Sequence, residues 1–104
     1  MDDPYRTEMV AGLKGTVSSV DDTGMWHEGT IGIPKDGNSR IAHYWVKTYK
    51  RKSKNAINGG KIAKLLIKIG NETVADYDGG WIVEPDENDH MVMVAYSILL
   101  NEYN

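Results

Sequence analysis

Apolar and polar residues alternate between residues 61 and 69, which is the pattern of a β-strand with one buried face. The apolar positions are Ala63, Leu65, Ile67 and Ile69, and Lys64 and Lys68 fall on the opposite face. Three further segments combine β-branched and aromatic residues with turn residues at their ends. The sequence therefore predicts four strands, at residues 25–33, 40–49, 61–69 and 72–77.

The segments between these strands are rich in turn residues. Gly70-Asn71 predicts a two-residue hairpin loop, and residues 35–38 predict a second turn. Residues 18–24 have the composition of a loop, and residues 50–60 predict a long polar connection. Residues 78–80, Asp-Gly-Gly, are expected to end the sheet.

Near the C-terminus the apolar residues change to helical spacing. Met91, Val94, Ala95 and Ile98 fall on one stripe. The pattern predicts a helix at residues 87–102, with acidic residues at its N-terminus, where they complement the helix dipole. These acidic residues are Asp86, Glu87 and Asp89.

A second, short helix is predicted at residues 4–13, because Asp3 and Pro4 are a favourable helix start. One helix laid across an antiparallel meander of about four strands buries both apolar faces in two layers. The expected fold is thus a single α+β domain spanning residues 1–104. In that fold Leu65 should pack near Ala95 and Ile98.

The composition excludes several classes of protein. The chain of 104 residues contains no cysteine, which excludes disulfide frameworks, zinc ribbons and thiol nucleophiles. No apolar run approaches the roughly 18 residues of a spanning helix. The N-terminus is acidic and lacks the apolar stretch of a secretory signal. We therefore expect a cytoplasmic protein that does not engage a membrane.

Charge is strongly segregated along the chain. Residues 35–68 carry ten cations and one acid, a net charge of +9, whereas the remainder carries two cations and fourteen acids, a net of −12. Such asymmetry bears on the choice of partner more than on the fold. It is compatible with an anionic partner at one surface and a basic partner at another.

Four stretches carry a resemblance to a known family: residues 26–32, 57–65, 74–81 and 84–85. Together they resemble a family of small proteins of unknown function associated with mobile elements and prophages of Gram-positive gut bacteria. The resemblance covers about residues 25–103. It implies a biological context for the chain but neither an activity nor a set of site residues.

The basic tract supplies the candidate binding site. Its members, with two aromatic residues just upstream, are Lys47, Lys50, Arg51, Lys52, Lys54, Tyr44 and Trp45. Cations can contact phosphates, and exposed aromatic rings can stack on bases. Two simpler interpretations stay open. The cations can form a solvated loop with the aromatics in the core, or they can lie against the acidic C-terminal half.

Other residues give weaker indications of chemistry. The carboxylates at residues 76–89 could hold a hard cation, but they do not match the calcium-loop pattern. His27-Glu28 lacks the second histidine of a zinc-protease helix, since residue 31 is Ile. Trp26 and Trp81 stand beside glycines, which is typical of packed turns and less often of a ligand wall. We expect no catalytic residues, no metal and no cofactor.

The sequence favours a small non-enzymatic binding protein. The first hypothesis is a mobile-element accessory protein that engages nucleic acid or a nucleoprotein through residues 47–64. One alternative is a protein–protein interaction module or inhibitor whose acidic surface docks on a basic partner. The least supported alternative is a small-ligand-binding protein with a Trp-lined cleft.

Overall fold

The computed structural model describes residues 14–20, 24–35 and 37–104. The elements formed by these residues are β1 (Lys14–Val20), β2 (Gly24–Lys35), β3 (Asn38–Tyr49), β4 (Ile62–Ile69), β5 (Glu72–Asp78), β6 (Trp81–Val83) and α1 (His90–Tyr103). A 3₁₀ turn at Ile57–Gly59 lies in the connection between β3 and β4. The helix predicted at residues 4–13 lies outside the described residues.

The strands form one antiparallel sheet in chain order, and α1 packs across one of its faces. The α+β class is therefore confirmed. The four predicted strands correspond to β2, β3, β4 and β5. The hairpin loop is also confirmed, since Ile69 pairs with Glu72 and Gly70 has the positive φ of 63° that glycine adopts readily.

The predicted number of strands, about four, is wrong because two edge strands lack the alternating pattern of the central ones. Within the described part of the chain the sheet has six strands. Residues 18–20, expected in a loop, belong to β1, whose Val17 and Val20 are 53% and 62% exposed. Residues 78–80 do not end the sheet. They form a tight turn into β6, in which the Asp78 amide donates to the Gly80 carbonyl at 2.9 Å.

One face of the sheet, covered by α1, carries the core. The strand residues of this core are Ile31, Ile33, Ala42, Tyr44, Val46, Ile62, Leu65, Ile67, Ala75 and Tyr77. These strand residues pack against the predicted apolar stripe of α1 and against Leu99. The stripe consists of Met91, Val94, Ala95 and Ile98. Leu65 is only 1% exposed and belongs to the same cluster as Ala95 and Ile98, as the alternation predicted.

The helix begins later than predicted. Asp89 is the residue that caps α1, and its carboxylate accepts hydrogen bonds from the amides of Met91 at 3.1 Å and Val92 at 3.3 Å. The Asp86 carboxylate instead accepts from the Asn88 amide at 2.9 Å. This local turn competes with helix formation, so Asp86 and Glu87 precede the helix rather than form its first turn.

Candidate functional site

No described element covers the second face of the sheet. Because successive side chains of a strand point to opposite faces, the residues next to the core residues in the sequence point their side chains to this second face. We call this surface the open face, and its central residues are Trp26, Glu28, His43, Trp45, Lys47, Lys64, Leu66, Lys68, Asp76 and Asp78. The strand register aligns them in rows that run across the sheet.

Two of these rows bring aromatic and charged side chains together. In one row Trp45 pairs with Glu28 and with Leu66, and Leu66 pairs with Asp76. In the adjacent row Trp26 pairs with Lys47, which in turn pairs with Lys64. The open face thus places two tryptophans beside two lysines.

The two tryptophans line a cleft of about 340 Å³. Leu66 adds apolar surface to this cleft. Charged groups come from Lys64 of β4 and from Asp76 and Asp78 of β5. Lys64 Nζ lies 3.8 Å from Asp78 Oδ1 in a half-exposed ion pair. The cleft therefore combines aromatic surface with groups of both charges.

The Trp45 ring is oriented by its neighbours on the open face. The His43 imidazole stacks on it with a centroid distance of 4.2 Å and an interplanar angle of 14°. His43 Nε2 in turn lies 3.8 Å from Glu28 Oε2. A half-exposed ring held in one orientation loses little side-chain entropy when a ligand stacks on it.

The predicted cations of residues 50–54 lie in the connection that follows β3. Lys50, Arg51, Lys52 and Lys54 are all exposed, and we call the segment that carries them, residues 50–56, the basic loop. Its base is closed by a hydrogen bond from the Tyr49 amide to the Lys61 carbonyl at 2.8 Å. The loop leaves the sheet at the end where Lys47 and Lys64 stand on the open face.

The basic loop is anchored at its far end rather than freely solvated. Ala56 and Ile57 are buried. The Tyr77 hydroxyl donates to the Asn55 carbonyl at 2.8 Å, and the Ser53 amide donates to the Gly60 carbonyl at 2.9 Å. These contacts fold the connection toward the side of α1, so the exposed cations project from the end of the sheet.

The side chain of Asn104 joins the end of α1 to this connection. Asn104 Oδ1 accepts from the amides of Lys61 and Ile62, and Nδ2 donates to the Ile57 carbonyl, each at 3.0 Å. Glycine at position 60 leaves room for this side chain, because a Cβ atom there would push the Asn104 amide out of place. The C-terminal end of α1 therefore fixes the return path of the basic loop.

Comparison with known proteins places the chain in a family. Residues 25–104 match the family described as Domain of unknown function (DUF7678). The chain belongs to this family. The matched region includes the open face, the basic loop and α1. Neither the curated proteins nor the solved structures contain a match.

Replacing Asn104 of the DUF7678 domain by Ala is expected to lower its free energy of unfolding by about 1–3 kcal/mol. The reason is that the change removes three hydrogen bonds and leaves their backbone partners near Ile57 and Ile62 unsatisfied. Urea unfolding followed by circular dichroism measures the loss. Asn101→Ala, an exposed position of the same helix, is the matched control, and equal stabilities of the two variants would contradict the anchoring role.

The structure places Tyr44 apart from the other predicted site residues of the DUF7678 domain. It is 0% exposed, and its hydroxyl lies 2.8 Å from the Tyr103 hydroxyl. Burial, together with this hydrogen bond, raises the pKa of Tyr44, so the hydroxyl stays protonated. Tyr44 is a core residue beneath α1, and we leave it out of the proposed interface.

The tryptophan pair differs from the one that the sequence suggested. Trp81 packs edge-on against Tyr77 and Tyr96, with centroid distances of 5.0 and 5.5 Å, on the face of the sheet that α1 covers. Trp26 lies instead beside Trp45 in the cleft. The signal that could have found this pair is the predicted turn after Lys35. Pairing of Lys35 with Asn38 also pairs Trp26 with Lys47, which sets Trp26 diagonally across from Trp45.

The histidines occupy three separate environments. His27 lies on the α1 side, where its Nε2 is 3.1 Å from Thr48 Oγ1, and burial lowers its pKa. His43 lies on the open face, and His90 begins α1.

Within residues 14–20, 24–35 and 37–104, no group of three or more His, Asp or Glu side chains is arranged to hold a metal ion. In the same ranges no helix has the length and apolar character needed to cross a membrane.

Proposed function

We propose that this DUF7678 domain is a non-enzymatic protein that binds single-stranded nucleic acid. Bases stack on the tryptophans of the open face, and cations of the open face and the basic loop contact the phosphates. The observation that carries the proposal is the half-exposed Trp45 ring, oriented by His43 and bordered by a row of lysines. Aromatic platforms beside cations are the common means of binding single strands without strong sequence preference.

The arrangement of lysines on the open face supports an anionic ligand. Lys47 and Lys64 are directly paired on neighbouring strands, so two cations stand side by side next to the tryptophans, where both can reach one phosphate. The ion pair of Lys64 with Asp78 joins half-exposed groups, and such pairs contribute little stability, so a phosphate can replace Asp78 as the partner.

The distribution of charge reconciles an acidic chain with an anionic ligand. The net charge is −3, but the exposed cations of the basic loop are clustered where β3 ends and β4 begins. Among the residues that the structure describes, the exposed acids lie mostly along β5 and the segment that leads to α1: Glu72, Asp78, Glu84, Asp86, Glu87 and Asp89. At physiological salt, charges more than about 8 Å apart in solvent are largely screened, so the local field of the basic loop decides its contacts.

We further propose that the protein is cytoplasmic and acts as an accessory protein of a mobile element. The cytoplasmic location is supported by the lack of cysteine in a chain of 104 residues. The mobile-element role is supported only by the family resemblance of residues 26–32, 57–65 and 74–81. A nucleoprotein, in which other proteins are already bound to the nucleic acid, is an equally suitable target for the open face.

A second candidate function is a protein–protein interaction module. It is favoured by the exposed acidic residues on the short segment between β6 and α1: Glu84, Asp86, Glu87 and Asp89. A basic partner could dock there by charge complementarity. This function uses a different surface from the open face, so mutations separate the two.

Replacing Trp45 by Ala is expected to weaken binding of a thymidine oligonucleotide of about 15 nucleotides roughly 5- to 150-fold, since stacking on one aromatic ring contributes about 1–3 kcal/mol. Trp45→Tyr keeps an aromatic ring and should retain most of the affinity. Fluorescence anisotropy at two salt concentrations measures both. The salt dependence of the Trp45→Ala variant should match that of the wild type, because no phosphate contact is removed.

Two results would overturn the proposed function. If the wild-type protein shows no binding at low micromolar concentration in low salt, single-stranded nucleic acid is not its ligand, and the acidic interaction module becomes the first choice. If Trp45→Ala binds as well as the wild type, bases do not stack on the open face.

A further inference from the structure

The cleft on the open face contains a carboxylate with an unusual setting. Asp76 is half-buried, and it lines the same cleft as the two tryptophans, directly across from Leu66 on the neighbouring strand. Asp78 has Lys64 as its ion partner, but the structure gives the Asp76 side chain no hydrogen bond or ion pair with any described residue. A carboxylate partly removed from water favours a ligand that supplies hydrogen-bond donors.

We propose that this cleft binds one guanine base, with the Asp76 carboxylate accepting hydrogen bonds from its N1–H and its N2 amino group. The inference rests on the proposed function for its ligand class. An ionised carboxylate has two oxygens that only accept hydrogen bonds. Guanine is the one common base that presents two adjacent donors on its Watson–Crick edge, which is the edge that proteins recognise on single strands.

The other bases complement this cleft poorly. Adenine and cytosine each present one amino donor next to a ring-nitrogen acceptor, and uracil and thymine present one N–H between two carbonyl oxygens. In each case an acceptor lone pair faces the carboxylate, which is repulsive. The volume of about 340 Å³ lies in the range of small-ligand sites and accommodates a single base beside the tryptophans.

The first arm of the test uses free mononucleotides. We expect guanosine monophosphate to bind the wild-type protein about 5- to 150-fold more tightly than adenosine or cytidine monophosphate, the discrimination typical of a two-hydrogen-bond contact to a base edge. Inosine monophosphate, which lacks the N2 amino group, should fall between them. Quenching of tryptophan fluorescence and NMR titration report the affinities.

Two variants of β5 test the role of the carboxylate. Asp76→Asn offers one donor and one acceptor in place of two acceptors, so it should abolish the preference for guanine or shift it toward adenine. Glu72→Gln makes the same change of charge at an exposed position of β5 outside the cleft, and it should keep the preference. Thermal melts of both variants establish that they are folded.

The second arm uses thymidine oligonucleotides that carry one central guanine, hypoxanthine or adenine. Preference for guanine in both arms, lost in Asp76→Asn, supports the inference and the proposed function together. Oligonucleotides that bind equally, with no mononucleotide preferred, overturn the inference and leave the proposed function standing. A guanine preference among mononucleotides without oligonucleotide binding supports the site and overturns the proposed function. A preference that survives in Asp76→Asn overturns the role of the carboxylate.

Discussion

Replacing Lys50, Arg51, Lys52 and Lys54 together by Ser is expected to flatten the salt dependence of oligonucleotide binding more than any other change in the molecule. Each phosphate contact to a single strand contributes about 0.7 to the slope of log K against log salt. Four lost contacts therefore reduce the slope by about 3. Anisotropy titrations between low and physiological salt measure the slope.

The quadruple variant should fold normally, because all four side chains are exposed and the basic loop is held by other contacts, such as those of Ala56 and Tyr77. Arg40→Ser removes an exposed cation near the opposite end of β3 and serves as a control with an unchanged slope. If the quadruple variant keeps the wild-type slope, the basic loop does not contact phosphates, and the lysines of the open face must account for any binding.

Leu65→Ala is expected to lower the free energy of unfolding by about 2–5 kcal/mol, the usual cost of truncating a fully buried leucine. The side chain is 1% exposed and belongs to the core cluster beneath α1. The loss includes both the transfer free energy of the removed methyl groups and the cavity that they leave. Chemical denaturation with a constant m-value measures it.

The adjacent residue provides a matched control for this prediction. Leu66 is the same residue type on the same strand, but it is half-buried and faces the cleft. Leu66→Ala should cost about 1 kcal/mol of stability, because it removes less apolar surface from water. It should, however, weaken oligonucleotide binding, which Leu65→Ala should not do under conditions where it is folded. Equal losses of stability would contradict the assignment of the two faces.

The central strands and the helix could be predicted because each has one face in the core. In β4 and α1 the burial of one face imposes a period on the sequence, of two residues in the strand and 3.6 in the helix. The edge strands β1 and β6 lack that constraint, since Val17, Val20 and Ile82 are more than half exposed. Nothing in their local sequence therefore distinguishes them from loops.

The start of α1 shows a second limit of local patterns. Acidic residues are equally suitable in a turn before a helix and at the helix start, so Asp86, Glu87 and Asp89 could not be ranked by composition. Asp86 hydrogen-bonds to a backbone amide two residues ahead, which delays the helix, and Asp89 caps it. Which of the three residues caps the helix depends on where the apolar stripe of α1 meets the sheet.

The sequence by itself determined the strand pattern, the apolar stripe of the last helix and the cluster of cations in the connection after β3. Only the tertiary structure decided which side chains of that region meet. Tyr44 and Trp45 are adjacent in the sequence, but strand alternation sends one into the core and the other to the open face. Which face is open depends on where α1 packs, and Trp26, Leu66 and Asp76 join Trp45 through pairings between distant segments. These contacts are set by register and packing over the whole sheet, so no local window of the chain contains them.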